Sequence, residues 1–520
     1  MVDSDLTIPP RLLRDGLLSS AKRTPDKVAL VIEGVEYTYS QLMQAALKMA
    51  SQLVQSGIQR GDRVAIYMDN TWPCVVSIYA VLIAGGVFLV INPQTKSDKL
   101  EFVLKDSDAK VLCTDSHLAG VFADVVVNSQ VTTVICSGDT SELTLSCLLD
   151  FNQILASNAP LEKPVFVVPN DMAALIYTSG STGVPKGVMH THQSMVFAAW
   201  SLIEYLRLSR EDKILLVLPV AFDYGLYQLF MALKLGGTLV IERSFTFPVQ
   251  VYKRIEEQKV TVFPGVPTIF AMMVSAHKKK PLCFPTVTRI TNTAAALPEE
   301  FVSYLQEIFP NALIYKMYGL TECKRVSYLE PELVNAKSNS VGKAIPGTEV
   351  YLLSEKTGQA VSAGETGVLY VRGPHIMLGY WKQDELSRKM LKPGRYPGER
   401  VLCTHDLFRM DSEGYLYFVG RNDDIIKTRG EKVSPVEVEN ALYEIKGIKE
   451  AAVIGAPDEL LGESVKAFVT LEADSDLTDK KIKKICLSKL ENFMVPKDII
   501  VVPDSLPKTA NGKIDKKALS

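Results

Sequence analysis

The chain has 520 residues, 47% of them apolar and 22% charged, with a net charge of −2. That length exceeds one ordinary core and points to several domains at roughly 150 residues each, while the near-neutral balance excludes a bulk pull towards nucleic acid or an anionic membrane. The eight cysteines include no C-x-x-C pair, which argues against a zinc ribbon or a disulfide framework and for a reducing compartment. The opening "MVDSDLTIPP" lacks a basic-then-apolar signal pattern, so a cytoplasmic location is expected.

In chain order, "YSQLMQAALKMASQLVQSG" (39–57) predicts an amphipathic helix stopped by Gly57, and "VAIYM" (64–68) and "AKVLCT" (109–114) predict strands. The uncharged run "CVVSIYAVLIAGGVFLVI" (74–91) falls short of the ~20 residues of a membrane span. Gly85-Gly86 divides it, which predicts a buried helix, a glycine stop and a core strand. "DMAALIYTSG" reads as a buried strand leading into "YTSGSTGVPKGV" (177–188). The alternation continues through "DKILLVLPV", "GGTLVIE", "VTVFPGVP" and "RITNTAAALP", the signature of α/β subdomains with largely parallel sheets. From about 340 to 420, short strands and glycine turns predict an antiparallel or barrel-like module. "GRNDDIIKTRGEKVSP" (420–435) reads as a boundary before an α+β tail that ends on "PKTANGKIDKKALS".

The 177–188 stretch surrounds one lysine with three glycines and four hydroxyls. Glycine is costly to order, and such a loop is best explained by a phosphate chain: backbone N–H groups approach closely, hydroxyls donate, and Lys186 adds a charge. It is not a Walker A loop, because Lys186 is followed by Gly187 rather than Ser or Thr.

This loop, "YGLTE" (318–322), "THD" (404–406), "GRNDD" (420–424) and "NGKI" (511–514), in this order, resemble the adenylate-forming superfamily of acyl-CoA synthetases, peptide-synthetase adenylation domains and beetle luciferases. The resemblance implies a large N-terminal domain (1–422) of two α/β subdomains and a β-barrel, and a small mobile C-terminal lid (423–520). It also implies a two-step reaction: a carboxylate attacks the α-phosphate of ATP, and a thiol then displaces AMP. By position, Thr178, Ser179, Gly180, Ser181, Thr182, Gly183 and Lys186 would hold the β- and γ-phosphates, and Thr321 would donate to the α-phosphate. Glu322 would bind Mg²⁺ as a hard oxygen ligand. Tyr318 would stack on adenine, and Asp406 and Arg421 would hold the ribose; the family usually has glycine where His405 stands. Lys513 would neutralise charge on the attacking carboxylate and bridging oxygen, and Asp423 would be the hinge.

"VAFDYGLYQLF" (220–230) carries the Phe-Asp pair of amino-acid-activating domains. Asp223 is expected to pair with a substrate ammonium; the alternative is a helix N-cap. Phe222, Tyr224, Tyr227 and Met317 would complete a small apolar pocket, and Arg325 is expected to face outward, towards a carrier. Together with "MYGLTECKRVSYLEPE", the pair resembles free-standing L-prolyl-AMP ligases of anatoxin-type and pyrrole-forming pathways. L-proline, ATP, Mg²⁺ and a separate carrier protein bearing phosphopantetheine are then implied. The alternative is an AMP-forming acyl- or aryl-CoA ligase.

Overall fold

The computed structural model describes residues 11–519 except 180–184, 294–296, 298, 422–423, 429–430, 459–461, 474 and 510–511. Gly180, Ser181, Thr182, Gly183 and Asp423 therefore lie outside the described residues, as does the side chain of Ser179.

Two large sheets form the N-terminal domain. One has eight strands, with Met172–Ser179, Val87–Ile91, Arg63–Tyr67, Val111–Asp115, Thr133–Ser137 and Leu148–Asp150 parallel. Pro185–Thr191 and Gly379–Tyr380 add antiparallel strands at its other edge. The second has nine strands and is parallel from Val28–Ile32 through Leu313–Tyr318, with antiparallel strands at both edges.

The run 74–91 resolves as expected. Helix Trp72–Ile83 is buried from Cys74 to Ile83, Gly85 turns at φ +75°, and Val87–Ile91 is a fully buried strand. That helix joins Tyr39–Gln55, His192–Tyr205 and Asp223–Leu235 in one apolar cluster drawing on both sheets. Two-sided burial explains why these segments read as continuous apolar runs. Among the described residues no helix is long and apolar enough to cross a membrane.

A third, antiparallel sheet comprises Glu349–Leu353, Thr366–Arg372, Leu391–Pro393, Arg400–Met410 and Leu416–Arg421. A small C-terminal domain follows, with a five-stranded sheet centred on Ile448–Asp458 and Gly462–Leu471 and its own core. It docks on the larger domain: Lys278 pairs with Glu472 at 2.9 Å, and Gly512 lies against Val266 and Thr268.

Candidate active site

The phosphate-loop strands form a hairpin in which Thr178 pairs with Lys186. Lys186 Nζ lies 5.8 Å from the centre of the Tyr380 ring, within cation–π range. Tyr380 is fixed by strand Gly379–Tyr380, which pairs with Val188 and Met189. Its hydroxyl donates to Glu322 Oε1 at 2.6 Å. Glu322 is thus held by one oxygen on the tyrosine whose ring faces Lys186, and an oriented, partly exposed carboxylate is a suitable ligand for a hard divalent ion.

Thr321 sits in the turn after Tyr318. Its carbonyl accepts from His190 Nε2 at 2.9 Å. Burial drives the His190 pKa far down, with Lys324 adding repulsion, so the ring is neutral with its proton on Nε2.

Asp406 and Arg421 are cross-strand partners, with Arg421 Nε 3.6 Å from Asp406 Oδ1. The Tyr318 hydroxyl donates to Asp406 Oδ2. The Tyr318 ring packs edge-on to Phe408 at 4.8 Å. Burial pushes the Asp406 carboxyl up, against the pull of Arg421. His405 has φ +58°. A left-handed backbone costs an L-residue about 1–2 kcal/mol, a cost that the glycine of the family pattern would avoid.

Lys513 follows a glycine turn (Gly512, φ +76°) in a hairpin closed by the Thr509 N–H to Lys513 carbonyl bond at 2.7 Å. Its neighbours Lys508 and Lys516 are tied to Glu450 and Glu439 at 2.7 and 2.6 Å. Lys513 instead comes under the charges of Arg421, Asp406 and Arg325. Burial, then Arg421 and Arg325, pull its pKa down to about 8, while Asp406 opposes them. The C-terminal domain therefore brings this lysine towards Arg421, Asp406 and Arg325.

In the acid pocket, Phe222 is the N-cap of helix Asp223–Leu235 and Asp223 lies inside its first turn. The N-cap alternative for Asp223 is thereby excluded. Asp223 is 6% exposed and pairs through Oδ1 with Lys324 Nζ at 2.8 Å; Oδ2 is buried with no partner among the described residues. Tyr224, Tyr227 and Met317 are buried. Tyr224 donates to the Thr291 carbonyl at 2.6 Å, and Tyr205 reaches Met317 Sδ at 2.8 Å.

Arg325 corrects the outward-facing expectation. It is 5% exposed, lies 4.8 Å from the centre of the Tyr224 ring and donates to the Lys324 carbonyl at 2.7 Å. The preference of its guanidinium for an aromatic face outweighs solvation here. Lys324, Tyr380, His190 and Tyr205 were not singled out by the sequence reading. The one signal for Lys324 is "ECKR", a basic pair just after Glu322 and Cys323.

Lys186, Glu322, Asp406, Arg421 and Lys513, so placed, fit an ATP-dependent, AMP-forming ligase. The chain belongs to the AMP-binding enzyme family: that family's model matches residues 17–381, and the model of the AMP-binding enzyme C-terminal domain matches 437–513. It is 32% identical to a long-chain-fatty-acid–CoA ligase of Bacillus subtilis (strain 168), covering 100% of this chain and 96% of that protein. It is 30% identical to gramicidin S synthase 2 of Brevibacillus brevis over 96% of this chain, but only 11% of that larger protein. Among solved structures, the anthranilate CoA ligase AuaEII in complex with anthranoyl-AMP superposes with a TM-score of 0.90 at 27% identity, covering 100% of this chain and 98% of that one.

Proposed function

We propose that this enzyme activates a small amino acid, L-proline first among them, as its aminoacyl-AMP and passes the acyl group to the phosphopantetheine thiol of a separate carrier protein. The observation that carries the amino-acid reading is the unshared, buried Oδ2 of Asp223. A buried carboxylate oxygen without a donor is costly, and a substrate N–H satisfies it. In the first step the substrate carboxylate oxygen bonds to the α-phosphorus, the bond to the bridging oxygen breaks, and pyrophosphate leaves. Thr178, Ser179, Gly180, Ser181, Thr182, Gly183 and Lys186 hold the departing phosphates, Glu322 holds Mg²⁺, and Thr321 and Lys513 compensate charge at the reacting end. Mg²⁺, where bound, neutralises the phosphates; positioning and charge compensation supply the catalysis. In the second step the thiol attacks the acyl carbon and AMP leaves, which requires the lid (423–520) to swing about Asp423 away from the body (1–422).

The second reading is an acyl- or aryl-CoA ligase. It is favoured by Lys324, which already compensates the charge of Asp223, and by the many CoA ligases among the similar proteins. Pyrophosphate exchange with proline, other amino acids, benzoates and short fatty acids decides between them. Exchange with proline, followed by mass spectrometry of a loaded carrier, is the expected result. Exchange with benzoates or fatty acids alone overturns the amino-acid reading.

A further inference from the structure

Asp223 and Lys324 lie 101 residues apart and meet as a pair shut off from solvent, their side chains 6% and 1% exposed. Lys324 Nζ takes Oδ1 at 2.8 Å, and Oδ2 is left with no donor among the described residues. The lysine reaches there from the tight turn 319–325. Its own backbone is left-handed, at φ +66°, and its carbonyl lies so close to Gly319 that a Cβ there would stand 2.2 Å away. The turn is closed by Lys324 N–H to the Leu320 carbonyl at 2.7 Å and Arg325 N–H to the Cys323 carbonyl at 2.8 Å. Two residues before Lys324 stands Glu322, and three before it stands Thr321. The segment that serves the phosphates thus also supplies the cation that fixes the acid-pocket carboxylate.

An ammonium is a compact point charge that engages one oxygen at a time, whereas a guanidinium forks across both. A lysine at this place therefore orients the carboxylate without consuming it. A carboxylate with no cation would be a poor fit to a buried pocket, and one capped on both oxygens would have nothing to offer a substrate.

We propose that Lys324 is the positioning residue for acid selection: by holding Oδ1 of Asp223 it presents Oδ2 as the single acceptor for an N–H on the carbon next to the substrate carboxylate. This rests on the amino-acid reading above. It extends that reading by assigning the discrimination between an imino acid and its carbon isostere to the residue that orients Asp223. On this reading Lys324 acts through Asp223, so its loss acts on substrate binding rather than on turnover.

The test is pyrophosphate exchange with L-proline and with cyclopentanecarboxylate, the same ring with CH₂ in place of NH, on wild type, Lys324→Met, Lys324→Arg and Asp223→Asn/Lys324→Met. Wild type is expected to favour proline by at least about 100-fold in kcat/KM, since a site built for a donor rejects an analogue lacking it. Lys324→Met is expected to raise KM for proline about tenfold or more with kcat within about threefold, since losing a ground-state contact moves KM. Lys324→Arg is expected to raise KM although the charge is kept, since its fork takes both oxygens. The double variant replaces the pair with uncharged groups of similar bulk and remains testable if Lys324→Met fails to fold. Its selectivity between the two acids should shrink to about tenfold or less through KM for proline. Unchanged KM and selectivity in Lys324→Met and Lys324→Arg, with proline activated by wild type and its selectivity lost in the double variant, overturns the role of Lys324 alone. A loss of kcat with KM preserved also overturns it, since that marks a role at the phosphates. Wild-type exchange with cyclopentanecarboxylate and none with any amino acid overturns both this role and the reading it rests on.

Discussion

Lys513 is the residue whose chemistry depends most on its surroundings. On the tail it would be one of ten lysines between 480 and 517; docked, its pKa is drawn down to about 8 by burial and by Arg421 and Arg325. A lysine is a cation below its pKa and neutral above it, so adenylate formation is expected to decline as pH rises through about 8. Lys513→Arg, which stays charged, should extend the plateau upward in a pyrophosphate-exchange profile over about pH 7–9.5. Lys513→Ala should lower exchange by about 10²–10³-fold, as losing a preorganised charge partner does, yet spare thioester formation from supplied acyl-AMP. Equal loss of both half-reactions would contradict the assignment. The presence of this lysine was legible, since an Asn-Gly turn ahead of a lysine closes the motif series. The local field that tunes it was not, because Arg325, Asp406 and Arg421 reach it only through docking of the lid.

At the scale of the element, helix Asp223–Leu235 is seated by a loop as much as by its apolar face. Asn70 clamps residues 218–220, donating to the Leu218 carbonyl and accepting from the Val220 N–H, both at 2.9 Å. Gly225 rests on that loop: a Cβ there would stand 2.4 Å from the Pro219 carbonyl oxygen and 2.9 Å from that of Leu218. Gly225→Ala should therefore push the helix start outward, costing about 1–3 kcal/mol as overpacking does. A lowered Tm should accompany a raised KM for the acid, with KM for ATP little changed, in thermal melts and exchange kinetics. An unchanged Tm would show that the helix start can yield. The helix itself was legible from "DYGLYQLFMALKL", and so was the buried run 74–91, because burial on all sides leaves an unbroken apolar record. Its pairing partners were not: Lys324 meets Asp223 across 101 residues and Tyr380 meets Glu322 across 58. No periodicity spans such distances.

At the scale of the whole molecule, the proposed second step requires the lid to leave the face it docks on. Lys278 and Glu472 pair across the two domains at 2.9 Å, both about 40% exposed, so the pair itself contributes little, about 0–1 kcal/mol. It does mark a place to lock the lid. With exposed Cys283 first changed to Ser, Lys278→Cys and Glu472→Cys joined by a short bismaleimide should keep adenylate formation and lose transfer to a thiol, while the unlinked variant performs both. Transfer surviving in the linked enzyme would show that no swing is needed. The order of the motifs made both domains legible, since each motif answers to a distinct piece of the nucleotide; the docking face did not show, because it is written in single surface residues. The strap Gly379–Tyr380 carries one more consequence. It hangs on the strand that bears Lys186 and grips the carboxylate assigned to the metal, so displacing either drags the other. On the proposed assignment ATP and its magnesium would be received together, and ATP without magnesium is expected to bind more weakly than MgATP in calorimetric titrations.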